Sequence, residues 1–369
     1  MTREQTVNVG LIGVGGIAAF THFPGLKTVN GARVTAMTDT DASLLQQRGK
    51  EWPDTRVWPS ADELLERGQV DAVVVATPNV THRRLVARAI ECGKHILCEK
   101  PLAMNVTEAR EMLEMARAKS VRHMTAFTYR FVPAMRYLKF LVDRGDFGQP
   151  LHFRAQRFQD WHSHSLGWRQ WRDTAGTGEL GDMASHRIDY AHYLVGPIRS
   201  VCGAMKQFVA RDRELSDGRP CRPSDTDDWV GFVVEFGNGV TGVFESSKLT
   251  RGHGSGGHGH DFVEINGMEA SAIYELRRPY ELKIGRRNGA FETMRVPTEF
   301  WKVSGSTRVA GEGDSSVVWR YDQEVEFIRS IQEDRDAAPS FLDGVRCQAV
   351  IDSVVQSVAE RRWVDVAVV

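Results

Sequence analysis

Cysteine is scarce in this chain and never set at redox or metal spacing. Cys92, Cys98, Cys202, Cys221 and Cys347 are scattered through 369 residues, odd in number and without a Cys-x-x-Cys pair. Such usage argues against a disulfide framework and predicts reduced thiols in a cytoplasm. An excess of one charge is missing too. Lysine plus arginine number 47 and aspartate plus glutamate 48, for a formal net charge of −1. With no basic cluster, nucleic acid and an anionic membrane surface are not expected as main partners. No apolar run approaches a membrane span. Met1-Thr-Arg-Glu-Gln runs straight into an apolar strand, which predicts no leader peptide and a cytoplasmic address.

What is present suits two ordinary domains with a large core, at 41% apolar and 26% charged residues. Val7 to Ile12 is a short apolar run that ends in Gly13-x-Gly15-x-x-Ala18, with Gly16 and Ile17 inside the motif. The first glycine permits a tight turn, the second lets a pyrophosphate reach the backbone, and the small Ala18 lets helix and strand pack closely. The following helix offers its N-terminal amides to the phosphates. The next apolar run, Ala32 to Thr38, ends on Asp39, 24 residues after Gly15. A carboxylate there accepts ribose hydroxyls of NAD and repels the 2′-phosphate of NADP, so NAD is the expected cofactor. Asp39 could instead cap the helix Ala42 to Trp52, and both roles hold if Asp41 is the cap.

Val70 to Ala76 reads as a buried parallel strand that exits into Thr77-Pro78-Asn79, with His82 one helical turn further on. The alternation continues through helix Thr81 to Glu91, strand His95 to Cys98, helix Val106 to Lys119 and strand Val121 to Phe127. This predicts an α/β Rossmann domain, a doubly wound parallel sheet, over residues 1–128. Ligands of such sheets lie outside the carboxyl ends of the strands. Glu99-Lys100-Pro101 falls at one of those ends, so Lys100 is expected to aim its ammonium at the reacting end of a bound nicotinamide.

Beyond Tyr129-Arg130-Phe131 and a helix from Pro133 to Asp143 the grammar changes. Leu151 to Gln159, Ser200 to Arg211, Asp228 to Phe236, Val240 to Lys248, Phe262 to Asn266 and Ser271 to Leu276 read as strands, with turns at Gly237-Asn-Gly239 and Asn266-Gly267. Residues 129–369 are therefore expected to form an α+β domain on a large open, mostly antiparallel sheet, whose exposed face calls for a second subunit. Within it, Asp182, His186 and Asp189 stand at i, i+4 and i+7, which places them on one face of an α-helix. His186 titrates near neutrality unaided, and with Asp182 to orient it becomes a candidate general base.

His253-Gly-Ser-Gly-Gly-His258-Gly-His260 invites a metal reading, but a glycine-rich loop with only Asp261 nearby lacks ligand spacing, so no metal is expected. A mobile loop is the expected role. Asp160-Trp161-His162-Ser163-His164 is read as loop and substrate wall. Trp168-Arg169 and Trp171-Arg172 offer aromatic planes and guanidinium forks to a sugar, or else serve packing and surface.

In order along the chain, these residues resemble the glucose–fructose oxidoreductase/inositol dehydrogenase/rhizopine-catabolism (Gfo/Idh/MocA) family. The carriers are Gly13-Val-Gly15-Gly-Ile-Ala18 with His22, Asp39, Ala76-Thr-Pro-Asn79 with His82, and Glu99-Lys100-Pro101. They continue with Tyr129-Arg130-Phe131-Val-Pro133, the Gly178-Glu-Leu-Gly-Asp182-x-x-x-His186-x-x-Asp189 block, and Glu264-Ile-Asn-Gly267. The resemblance implies NAD held by Gly13, Gly15, Gly16, Ile17, Asp39, Thr77, Pro78, Asn79, His82, Glu99 and Lys100. It implies catalysis by Lys100, Asp182 and His186, with Arg130, Trp168 and Arg169 also on the substrate, a small carbohydrate or polyol. His186 would take the alcohol proton, Lys100 would hold the developing alkoxide, and Asp182 would orient His186 or the substrate. In relatives the Lys100–Pro101 peptide is often cis, and the second domain builds homodimers or homotetramers. Ala184 replaces a common glycine of the family block. The implied activity is an NAD-dependent dehydrogenase acting on a ring hydroxyl. Two alternatives are an enzyme that keeps NAD bound and cleaves or eliminates a glycoside through transient C3 oxidation, and a non-catalytic ligand sensor.

Overall fold

The structure is a computed structural model and describes residues 6–160, 166–211, 222–254 and 259–369. Trp161 to His164 and His258, read above as loop and wall, lie outside the described residues, as does Cys221. The chain forms two compact units.

The first unit carries the parallel sheet. Its strands are β1 (Val7–Ile12), β2 (Ala32–Thr38), β3 (Arg56–Val57), β4 (Ala72–Val75), β5 (His95–Cys98) and β6 (His123–Thr125). They lie in the order β3-β2-β1-β4-β5-β6, all parallel. The reversal of direction between β1 and β4 is the topological switch point where such sheets bind ligands. β3 was not read from the sequence, because two exposed residues carry no apolar run. β4 and β6 are shorter than expected, and β6 lies at the edge of the sheet, paired with β5.

Helices cover the sheet and start where side-chain oxygens accept otherwise unpaired amides. Asp41 accepts from Leu44, Ser60 from Glu63 and Asn105 from Glu108. Each such cap contributes about 1 kcal/mol. Helix His82–Glu91 buries Leu85, Val86, Ala89 and Ile90, and helix Val106–Ala118 buries Ala109, Met112, Leu113 and Ala116, against Val73, Val75, Ile96 and Cys98. The unit also takes in residues 302–313 and 317–345, which the sequence reading left with the second half. Phe341 joins its core and stacks on His123 at 4.8 Å. Asp322 pairs with Arg308 and accepts the Val303 amide.

The second unit contains β7 (Pro150–Phe158), β8 (Ile198–Lys206), β9 (Trp229–Phe236), β10 (Thr241–Ser247), β11 (His260–Gly267), β12 (Ala270–Glu275), β13 (Glu281–Arg286), β14 (Glu292–Arg295) and β15 (Val364–Asp365). They form a sheet in the order β14-β13-β12-β11-β7-β10-β9-β8-β15. Its pairs are antiparallel, except β7 with β10. One face buries Phe153, Phe232, Phe244, Val263, Ile265 and Tyr274. On the other, Val233 sits opposite Val243, and they are 39% and 41% exposed.

Two sequence readings shift here. β8 leaves the sheet at Gln207 rather than running to Arg211, because the buried Asp228 carboxylate takes the Phe208 and Val209 amides from the ladder. Asn266-Gly267 closes β11 instead of forming the turn, which falls on Met268 and Glu269.

Candidate active site

In the first unit, four neighbouring strands deliver their C-terminal loops to one edge of the sheet. β1 delivers Gly13, β2 Asp39, β4 Thr77 to Asn79, and β5 Glu99 and Lys100. Gly13 has φ +91°, and a Cβ there would lie 2.6 Å from the Ala76 carbonyl oxygen, so only glycine makes this turn. A Cβ on Gly15 would meet nothing within 4 Å, so open space lies over the loop where a pyrophosphate would approach.

The loop is held from both sides. Asp39 Oδ2 accepts the Val14 amide at 2.8 Å, and Arg48 Nε donates to the Val14 carbonyl at 3.2 Å. Asp39 Oδ1 accepts the Asp41 amide at 2.9 Å. Each carboxylate oxygen has a second lone pair for a ribose hydroxyl, so these residues fit NAD. Asp41, not Asp39, caps the helix that follows. The segment from Ala18 to His22 is π-helical rather than an α-helix that starts at the loop, with Ile17 at its N-cap.

Two histidines brace the site. His82 is buried, and its ring nitrogens lie 3.0 Å from the Thr77 carbonyl oxygen and 3.1 Å from that of Pro101. It ties the loop after β4 to the loop after β5. Burial keeps its pKa below the ordinary value. His82, expected at the cofactor, thus has both ring nitrogens facing backbone carbonyls. Thr77 Oγ1 lies 2.7 Å from Thr81 Oγ1, and Asn79 is buried. The Lys100–Pro101 peptide is cis. Glu99 Oε2 accepts the Lys100 amide at 3.1 Å, and Glu99 Oε1 meets His22 Nε2 at 3.1 Å.

In the second unit, Gly178 to Asp182 is held by Asp227, which accepts the Gly178 amide at 2.6 Å and the Leu180 amide at 2.9 Å. Residues Leu180–Ala184 are π-helical, and the α-helix begins only at Ser185. Asp182 therefore lies in the π-turn and His186 in the α-helix that follows it, whereas the i, i+4 spacing predicts an α-helix throughout. His186 is buried, with its ring edge-on to Tyr129 at 4.5 Å between centroids. Arg187 fixes the helix behind it, pairing with Asp261 on β11 and donating to the Met183 carbonyl at 2.9 Å.

Asp182 lies 3.6 Å from Arg169, whose guanidinium sits 4.3 Å from the Trp168 ring centroid. Arg130, expected on the substrate, binds Asp189 through its Nε and Nη2 at 2.8 and 2.6 Å in the interior and stacks on Tyr193. Two buried carboxylates at the Gly178 to Asp182 segment escaped the sequence reading. Asp227 reaches its partners across 49 and 47 residues, and no local pattern marks it. Glu179 is buried, accepts a hydrogen bond from Ser246 Oγ at 2.6 Å, and has its pKa pushed up to about 7 by burial, with Asp182 and Asp227 adding to the effect. His253 and His260 lie with Phe158 in an aromatic cluster, and His260 stacks on Phe158 at 5.4 Å.

A doubly wound sheet with a glycine turn, an acidic residue after β2 and a lysine after β5 defines a dinucleotide-dependent oxidoreductase. Residues 7–127 match the oxidoreductase family model with an NAD-binding Rossmann fold, and residues 135–273 match the Gfo/Idh/MocA C-terminal domain. The chain belongs to the Gfo/Idh/MocA family of NAD-binding oxidoreductases. It is 31% identical to a levoglucosan dehydrogenase of Pseudarthrobacter phenanthrenivorans, over 98% of each chain. It is 25% identical to an inositol 2-dehydrogenase of Rhizobium meliloti, over 98% of this chain and all of the relative. A solved levoglucosan dehydrogenase in complex with NADH and levoglucosan superposes with a TM-score of 0.88 at 28% identity, covering 99% of this chain and 100% of the other.

Proposed function

We propose that this protein is an NAD-dependent dehydrogenase that oxidises a ring hydroxyl of a sugar, an anhydrosugar or a cyclic polyol. The observation that carries the reading is the placement of Lys100 after β5, on the sheet edge that also carries the Gly13 turn and Asp39. The relatives named for levoglucosan and inositol support the substrate class.

Gly13, Gly15, Gly16 and Ile17 receive the pyrophosphate, Asp39 the adenosine ribose, and Thr77, Pro78, Asn79 and Glu99 the nicotinamide half. When bound, NAD supplies the hydride acceptor. His186 takes the proton of the reacting hydroxyl, and Lys100 stabilises the charge that grows on its oxygen. Asp182, with Arg169 beside it, orients His186 or a neighbouring substrate hydroxyl, and Trp168 offers an apolar plane to the ring. Arg130 is left out, because Asp189 occupies it.

The work divides with NAD in the first unit and substrate in the second. The protein is cytoplasmic and acts as a homo-oligomer that covers the exposed sheet face around Val233 and Val243. Among the described residues no helix is long and apolar enough to cross a membrane.

The test is NADH formation, with NAD or NADP, against sugars, anhydrosugars, inositols and glycosides. Absorbance rising with one ring-hydroxyl class and NAD preferred is the expected result. Glycoside cleavage without net NADH would replace it with the tightly bound NAD reading. Lys100→Met should lower turnover on the order of a hundredfold or more while NAD still binds, as followed by fluorescence titration. Normal turnover by that variant removes Lys100 from the chemistry.

A further inference from the structure

Behind Lys100 lies a buried proton that the mechanism above does not use. His22 is fully buried, and a carboxylate oxygen faces each of its ring nitrogens. Nδ1 lies 2.8 Å from Glu324 Oε1, and Nε2 lies 3.1 Å from Glu99 Oε1. A neutral imidazole offers one donor and one acceptor, whereas a carboxylate only accepts. Two carboxylates cannot both be satisfied by a neutral ring, so the triad holds one extra proton.

The surroundings say where it sits. Glu99 Oε2 already accepts the Lys100 amide, and the Lys100 charge lies beside it. Burial alone would raise the Glu99 carboxyl, but His22 and Lys100 reverse this and hold it below the ordinary range. Burial pushes His22 down, and Glu324 and Glu99 together overcome it, raising its pKa to about 10.

The packing is committed to this arrangement. Glu324 comes from helix Asp322–Gln332, and Gln323 Nε2 donates to the same Glu324 oxygen at 3.0 Å. Asp322, one residue before them, is occupied by Arg308. A Cβ on Gly25 would stand 2.6 Å from Glu324 Cγ and 3.3 Å from Tyr321 Cα, so glycine is what lets the acid approach His22.

We propose that His22 is a positioning residue for the reaction, a buried imidazolium braced by Glu324 that holds Glu99 ionised and aimed at Lys100. This rests on the reading of Lys100 as the group that stabilises the alkoxide. An ionised Glu99 accepts the Lys100 amide and so pins the backbone from which Lys100 extends. Loss of the His22 proton frees Glu99 to turn, and a small misplacement of a catalytic group costs up to about a hundredfold in rate.

Glu324→Gln is the decisive variant, because it keeps size and hydrogen-bonding capacity and removes one charge. Turnover should fall about tenfold or more, with NAD affinity nearly unchanged. The alkaline limb of the kcat/KM profile should move toward lower pH, since His22 loses an acid that holds its proton; a purely structural role would leave the limb in place. His22→Gln should lower turnover further and remove the Glu324 dependence. Nitrogen-15 spectra of histidine-labelled wild-type protein test the triad without activity, and both His22 ring nitrogens should stay protonated well above neutral pH.

A neutral His22 ring at neutral pH overturns the proposal, as does a Glu324→Gln enzyme with unaltered turnover and pH profile. If Lys100→Met turns over normally, the reading of Lys100 fails instead, and the nitrogen spectra still report on the triad.

Discussion

Glu179 shows how one buried atom pair can carry a pH dependence. Its ordinary pKa of 4.5 rises to about 7 in the folded chain. A raised acid favours folding in its protonated form. The stabilisation of that form is complete below 4.5 and is lost as pH rises through about 7. The cost of ionising the buried group amounts to about 3 kcal/mol on the alkaline side. Glu179→Gln keeps a partner for Ser246 and cannot ionise. Thermal unfolding should show the variant gaining on wild type above neutrality and matching it under acid conditions; an equal shift at both pH values would clear Glu179 of this role. At this scale the sequence marked Lys100, Asp182 and His186 by motif. It could not show that Asp189 occupies Arg130 or that Pro101 and Thr77 occupy His82, because those partners are set by packing.

Among the elements, the loop after β1 separates two uses of glycine. At Gly13 the backbone itself forbids a side chain, through φ +91° and the Ala76 carbonyl. At Gly15 the fold leaves room and does not itself call for glycine, as expected where a pyrophosphate is proposed to approach. Gly13→Ala should therefore destabilise the protein by about 1–3 kcal/mol. Gly15→Ala should leave stability within a few tenths of a kcal/mol and weaken NAD binding. Denaturant unfolding beside NAD titration separates them, and a Gly15→Ala variant that binds NAD normally would remove the pyrophosphate from that space.

The apolar runs that became β1, β2, β5 and β7 were legible because burial on one or both faces writes itself into residue order. Helix Pro133–Asp143 was legible with both its ends. The π-helical turns at Ala18–His22 and Leu180–Ala184 were not, because composition does not distinguish one extra residue per turn.

For the whole molecule, the exposed sheet face is where the proposed assembly would form. Val233 and Val243 lie side by side where a monomer would show water an apolar pair. Val243→Asp should reduce the assembled mass to that of a single chain in light scattering with size-exclusion chromatography. An unchanged mass would place the interface elsewhere.

Residue order alone determined the doubly wound sheet, the mostly antiparallel second sheet, the dinucleotide turn and the family, since each is written in local spacing. Tertiary structure alone decided that residues 317–345 rejoin the first unit, so that Glu324 meets His22 across 302 residues. Nor could local pattern reveal that Asp227 clamps Gly178 and Leu180 or that Glu179 is buried between them. Hydrophobic periodicity is a property of neighbours along the chain, whereas a buried charge is stabilised by whichever partner folding brings within about 3 Å.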